Sequence, residues 1–256
     1  MKLSKLKVFV MVVMFLAFTS LAYAITVDEI IDKVDASRPD FQTQKAVSKM
    51  ILIDKNGKVE EERSMVMYSK KEDDDTTTSL MRFLSPKSVK GVTLLNIKNG
   101  EKIYLYMPAY RKPRRIAGSS KSESFMGSDL SYEDMSMDYK DKKYTKKLVK
   151  ETDTEYIIEV IPNDKDVTYD KIVIYVDKTH FYGKKIELYK KGELSKIIEI
   201  KKIKVDENGK VTPMDMVITN AKTGHKTEVA MESIEYNIKL PSHFFSIRTL
   251  KKPKLQ

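Results

Sequence analysis

Apolar residues fall into three patterns along the chain. Residues 8–18 form an unbroken apolar run. Val27, Ile30, Ile31 and Val34 then repeat at the spacing of one helix face, with Thr26 as N-cap, Glu29 three residues on and Arg38-Pro39 as the stop, which predicts a short amphipathic helix over residues 26–35. From Phe41 onward the period shortens towards two, in runs rich in Val, Ile, Tyr, Thr and Met broken by Asn56-Gly57, Asn99-Gly100, Lys191-Gly192, Asn208-Gly209 and Thr223-Gly224. These runs predict strands over 46–53, 63–68, 78–84, 91–97, 103–107, 143–150, 155–161, 170–176, 185–190, 195–205, 211–219 and 226–238. Joined by hairpins, they read as an antiparallel meander.

Several strands are apolar on both faces. Met65 and Met67 alternate with Ser64, Val66 and Tyr68; Leu80 and Leu84 flank Arg82 on one face with Met81 and Phe83 on the other; Ile103, Leu105 and Met107 oppose Tyr104 and Tyr106. A sheet this long must curl, and its concave face must be covered by a few helices, a partner or a ligand. Its prospective lining is Met65, Met67, Leu80, Leu105 and Met107, joined by Phe125 and Met126. Eleven methionines follow residue 24, and unbranched thioethers suit either a wall for acyl chains of variable shape or a core with irregular gaps.

The first apolar run changes the compartment. Lys2, Lys5 and Lys7 precede it and Ala22-Tyr23-Ala24 follows, the layout of a secretory signal peptide over residues 1–24. Its removal leaves one expected domain, residues 25–256, with 44 basic against 37 acidic residues, a net charge of +7 instead of +10. The absence of cysteine rules out disulfides, a thiol nucleophile and a lipidated N-terminal cysteine, so an exported, periplasmic chain is expected without its own lipid anchor. Export also argues against nucleic acid as partner, and the positive charge points to transient contact with a membrane surface or to an acidic protein face. Solvated outer faces of lysine-rich strands would account for the same charge.

Enzyme chemistry finds little footing. His180, His225 and His243 are far apart in sequence, there is no nucleophile elbow or nucleotide-binding glycine pattern, and Asp73-Asp74-Asp75 reads as a solvated loop. No catalytic residue, metal ligand or cofactor is expected.

The period breaks between residues 83 and 137, where Phe83-Leu84-Ser85-Pro86, Gly91, Leu105-Tyr106-Met107-Pro108-Ala109, Arg111-Lys112, Arg114-Arg115-Ile116, Gly118-Ser119 and the block Ser124-Phe125-Met126-Gly127-Ser128-Asp129 with Ser131-Tyr132-Glu133-Asp134-Met135 crowd together. These motifs resemble the outer-membrane lipoprotein-sorting protein family, the LolA-like periplasmic carriers. The resemblance is closest in the two densest blocks and extends loosely from Thr26 to the end. It implies a mainly β (α+β) fold of LolA/LolB type: a strongly bent antiparallel sheet forming an open half-barrel closed by a few helices, with a hydrophobic cavity. It further implies a non-enzymatic carrier for acylated lipoprotein or lipid cargo, served by an inner-membrane transporter and an outer-membrane acceptor. The signature blocks differ from those of the best-known LolA carriers, so their ligand-contacting residues do not carry over. Rival readings of the same chain are a periplasmic lipid sensor that regulates a protein partner and a filled accessory subunit of an export complex.

Within the block, Ser128 or Asp129 is placed to cap a short helix, and Arg114 and Arg115 are placed to meet Asp129, Glu133 or Asp134. Such pairs would pin a loop to the sheet; alternatively Arg114, Arg115, Asp129 and Tyr132 hold a lipid headgroup or an acidic partner.

Overall fold

The computed structural model describes residues 25–137, 143–163 and 167–255. The apolar leader read in residues 1–24 lies outside them. One helix, α1 (Val27–Ala36), precedes thirteen strands: β1 (Thr43–Ile53), β2 (Val59–Lys71), β3 (Thr77–Ser85), β4 (Thr93–Ile97), β5 (Lys102–Tyr106), β6 (Pro113–Ile116), β7 (Tyr144–Glu151), β8 (Glu155–Pro162), β9 (Lys171–Asp177), β10 (Gly183–Lys190), β11 (Glu193–Val205), β12 (Val211–Asn220) and β13 (Lys226–Tyr236). A four-residue helix, α2 (Ile247–Leu250), lies in the C-terminal tail. All twelve expected strands are present, and α1 starts with the expected capping box: Thr26 Oγ1 accepts from the Glu29 N–H and the Glu29 carboxylate accepts from the Thr26 N–H. The unexpected strand, β6, carries Pro113, Arg114 and Arg115 in four residues. Short, charged and proline-bearing segments give no strand period, and such segments suit a sheet edge.

The strands form one open, curved antiparallel sheet in the order β6-β5-β4-β3-β2-β1-β13-β12-β11-β10-β9-β8-β7. This corrects the simple meander. The chain starts in the middle, runs out to one edge at β6, crosses to the opposite edge at β7 and returns until β13 pairs with β1.

The crossing connection shows how far the sheet bends. Asn96 Nδ2 on β4 donates to the Met135 carbonyl at 3.2 Å, while Lys196 Nζ on β11 donates to the neighbouring Asp134 carboxylate at 2.6 Å. β4 and β11 are six places apart in the sheet, about 29 Å if it were flat. Adjacent residues bond to both, so the crossing segment lies on the inner face of a strongly bent sheet.

The registers assign each side chain to a face. Met50, Arg63, Met65, Met67, Met81, Phe83, Leu94, Ile103 and Leu105 point inwards, against Phe125 and Tyr132 of the crossing segment. Val66, Tyr68, Leu80, Leu95, Tyr104 and Tyr106 point outwards and are covered by the C-terminal tail through Phe244, Leu250 and Leu255. Arg82 fastens that tail, its guanidinium donating to the carbonyls of Leu250 at 3.0 Å and Lys252 at 2.8 Å and to Thr93 Oγ1 at 2.7 Å. At the far side, α1 lays Ile30, fully buried, onto Tyr156, Ile158, Val160, Ile172 and Ile174 of the same inner face. Burying such a side chain contributes roughly 1.5–3 kcal/mol.

Candidate functional site

The inner face therefore has two closed regions: the crossing segment over β1–β6, which also reaches across one end of β11 and β13 to Lys196 and Thr227, and α1 over β7–β10. Between them lies a stretch built from β10 to β13. Cross-strand pairing aligns Ile186 with Ile198, Ile198 with Ile218, Ile200 with Met216, Met216 with Val229 and Met231 with Ser48. Ile218 is fully buried, but Ile186, Ile198, Ile200, Met216, Val229 and Met231 are half-buried, unlike the closed cores on either side. Met67 borders them from β2, also half-buried. This half-covered apolar stretch is the candidate site.

Methionine is distributed unevenly between the faces. Of the eleven after residue 24, ten lie on the inner side: Met50, Met65, Met67, Met81, Met107, Met126, Met135 and Met137 in the inner clusters, and Met216 and Met231 by register. The outer cluster under the C-terminal tail contains none and is filled by aromatic and branched side chains. The two faces bury apolar area with different materials, and the inner one uses the side chain that adapts most readily to a changing neighbour.

Two carboxylates hold the crossing segment on the sheet. Asp129 accepts from the Thr227 hydroxyl at 2.7 Å and its own N–H donates to Thr227 Oγ1 at 2.9 Å; His225 Nδ1 reaches the same carboxylate at 2.7 Å, and His225 Nε2 lies 3.2 Å from Glu60. Burial alone would lower the His225 pKa, but the Asp129 hydrogen bond and charge, with Glu60 behind, raise it above the ordinary imidazole value. Asp134 accepts from Lys196 at 2.6 Å and from the Tyr169 hydroxyl at 2.7 Å, and burial followed by the Asp134 charge pushes the Tyr169 phenol upwards. Glu133 bonds Thr168.

Several expectations are corrected here. Neither Arg114 nor Arg115 pairs with Asp129, Glu133 or Asp134 among the described residues; Arg114 bonds the Tyr132 hydroxyl, and the acids are taken by β11, β13 and the β8–β9 turn. Neither Ser128 nor Asp129 caps a helix: a single 3-10 turn begins at Asp134, whose N–H donates to Ser131 Oγ at 3.1 Å. Leu80 points to the outer face, fully buried under the tail, away from Met65, Met67, Leu105 and Met107. Phe125 is 1% exposed, stacked on Phe83 at 5.6 Å and edge-on to Tyr132 at 5.5 Å, so it fills the closed end, with Met126 beside it. Sequence reasoning missed Met216, Val229 and Met231, although their period-two alternation was in view; Lys196, Tyr169 and His225 gave no local signal.

Among the described residues no group of three or more His, Cys, Asp or Glu is arranged to hold a metal ion, and no helix is long and apolar enough to cross a membrane.

Comparisons with known proteins fit this geometry. A domain from Vibrio parahaemolyticus assigned to outer-membrane lipoprotein sorting is 29% identical, with a TM-score of 0.80 over 88% of this chain and 97% of that one. A DUF1329 family protein from Desulfovibrio piger is 27% identical, with a TM-score of 0.78 over 89% and 100%. A LolA superfamily protein from Nitrosomonas europaea, 21% identical, shares the fold with a TM-score of 0.69 over 87% and 98%. A family model described as "-like: Uncharacterized protein" matches residues 75–252. The chain belongs to the family that this model describes, and its fold is LolA-like. A comparison with curated proteins found no match. The family match spans the crossing segment, the strands β10–β13 and the C-terminal tail to residue 252, so the stretch built from β10 to β13 and one of its two closing elements fall inside it, while α1 and Met67 on β2 fall outside.

Proposed function

We propose that this protein is a periplasmic, non-enzymatic carrier that covers the acyl chains of a lipoprotein or lipid against the open stretch of its inner face and moves them towards the outer membrane. The observation that carries this reading is the concentration of methionine on the inner side, with Met67, Met216 and Met231 half-buried on the stretch between the two closed cores. The similar Vibrio parahaemolyticus domain assigned to lipoprotein sorting supports the cargo class. The leader read in residues 1–24 supports the compartment.

Differential burial supplies the mechanism. Each buried methylene is worth about 0.8 kcal/mol, so one long acyl chain contributes on the order of 10 kcal/mol before ordering costs. Extraction and release at that depth require a partner at each end, an inner-membrane transporter and an outer-membrane acceptor. The bent sheet keeps its scaffold while methionine rotamers adjust to the chain.

Native mass spectrometry of the protein purified from a periplasmic extract without detergent tests the reading. A bound acylated species is expected, and Met216→Arg, at a half-buried position outside the closed cores, is expected to lose it while keeping the fold. A clean unliganded mass that also refuses added lipid would replace the carrier with a filled accessory subunit.

A further inference from the structure

Three turns at one end of the sheet gather features that the rest of the surface keeps apart. The β3–β4 and β5–β6 turns, residues 86–92 and 107–112, lie side by side, since a Cβ on Gly91 would meet Pro108 Cγ at 3.0 Å, and the β3–β4 turn touches β2 just after the β1–β2 turn (residues 54–58), where Ser88 Oγ donates to Glu61 at 2.7 Å. Residues 84–92 and 106–122 contain no acid, while Lys87, Lys90, Arg111, Lys112, Arg114 and Arg115 are all exposed. The acids at this end stand on the β1–β2 side, where Asp54, Glu60 and Glu62 flank the turn and Glu61 reaches in from β2 to bond Ser88 and Arg63. Three of the seven exposed large apolar side chains among the described residues sit at this end: Val59, Leu84 and, at 71% exposure, Tyr110. Tyr110 is held out by its turn, since its N–H and that of Arg111 both donate to the Met107 carbonyl.

A cationic patch alone reads as a solvated surface. An aromatic ring and a leucine standing out among four cations on turns and two on the edge strand β6 has the composition of a site at a lipid–water interface, where the ring sits at headgroup level and the cations meet phosphate. An acidic protein face would answer the charge but leave Leu84 and Tyr110 without a burial partner. We propose that this end of the sheet docks on a membrane surface bearing anionic lipid headgroups, with Tyr110 and Leu84 at headgroup depth and Lys87, Lys90, Arg111 and Lys112 against the phosphates. Docking requires nothing of the inner face and stands apart from the carrier reading.

The chain contains no tryptophan, so Tyr110→Trp supplies a single reporter. Its emission is expected to shift to the blue on vesicles of phosphatidylcholine with about a third phosphatidylglycerol, to stay unshifted on phosphatidylcholine alone, and to return to its free value in high salt. Cosedimentation of the unsubstituted chain with the same vesicles controls for the added indole. Arg111→Glu with Lys112→Glu, both exposed and remote from the cores, is expected to weaken vesicle binding at least about tenfold with an unchanged circular dichroism spectrum. Equal binding to both vesicle types, no shift on either, or undiminished binding by the charge-reversed variant would overturn the proposal. Capture of a soluble acidic protein by a chain that ignores both vesicles would also overturn it and assign this end to a protein interface.

Discussion

Lys196 Nζ lies 2.6 Å from Asp134 Oδ2, and the Asp134 side chain is completely buried with Lys196 at 14% exposure. The pair joins the connection between the two sheet edges to β11, near the middle of the second run of strands. Asp134 also accepts from the Tyr169 hydroxyl and the Ser131 N–H, both at 2.7 Å, so the buried charge is satisfied on several sides.

Removing one partner of such a pair leaves the other desolvated and uncompensated. Asp134→Ala and Lys196→Met are each expected to cost about 3–5 kcal/mol of stability. The double variant should cost less than the two singles together, by about 1–3 kcal/mol, because it removes both charges. A double-mutant cycle by urea unfolding checks this; strict additivity would mean that the pair does not hold the crossing segment.

His225 gives the second anchor a pH dependence. Its pKa is raised in the folded protein, so the stabilisation is fully present below the ordinary imidazole value of about 6.5 and is lost as pH rises through the folded value. Asp129, the Thr227 hydroxyl and the more exposed Glu60 face this cluster, and Asp129 dominates because Glu60 is screened by solvent. Stability should fall with rising pH in that window by at most about 1.4 kcal/mol per unit. Hydrogen exchange of residues 124–131, corrected for intrinsic rates, should speed up from pH 6 to pH 8, and His225→Gln should abolish the difference.

Gly100 permits the crossing segment to approach the β4–β5 turn. It sits at φ +90°, and an added Cβ would come within 2.6 Å of Ser136 Cβ. Gly100→Ala should therefore combine backbone strain of about 1 kcal/mol with a steric clash. Ser136→Gly should relieve the clash but not the strain. Thermal unfolding of the single and double variants separates the two, and full recovery in the double would show that the positive φ costs nothing.

The strands were legible because each carries its own period-two signal, and α1 because Thr26, Glu29 and the Ile30 stripe are local. What could not be read is set by contacts distant in sequence. β6 takes its place only by pairing with β5, the crossing of residues 117–137 over the face depends on Thr227 and Lys196 far along the chain, and Arg114 lost the acids to partners that no local pattern announces. Leu80 was misplaced for a related reason: both faces of β3 are apolar, so alternation divides them into two sets without saying which set meets the tail.

That division gives the remaining prediction. Leu80 and Met231 lie on opposite faces, the first fully buried under the C-terminal tail and the second half-buried on the inner face. Leu80→Ala should cost about 2–5 kcal/mol, since the outer cluster of Tyr68, Leu95 and Phe244 can close the cavity only in part. Below its unfolding transition, the Leu80→Ala protein should still bind an added fluorescent fatty acid as the parent does. Met231→Ala should cost less stability, because its side chain is only half-buried, yet weaken fatty-acid binding. Titration of both variants under native conditions distinguishes the faces: weakened binding in Leu80→Ala with none in Met231→Ala would put the acyl site on the outer face, beneath the tail.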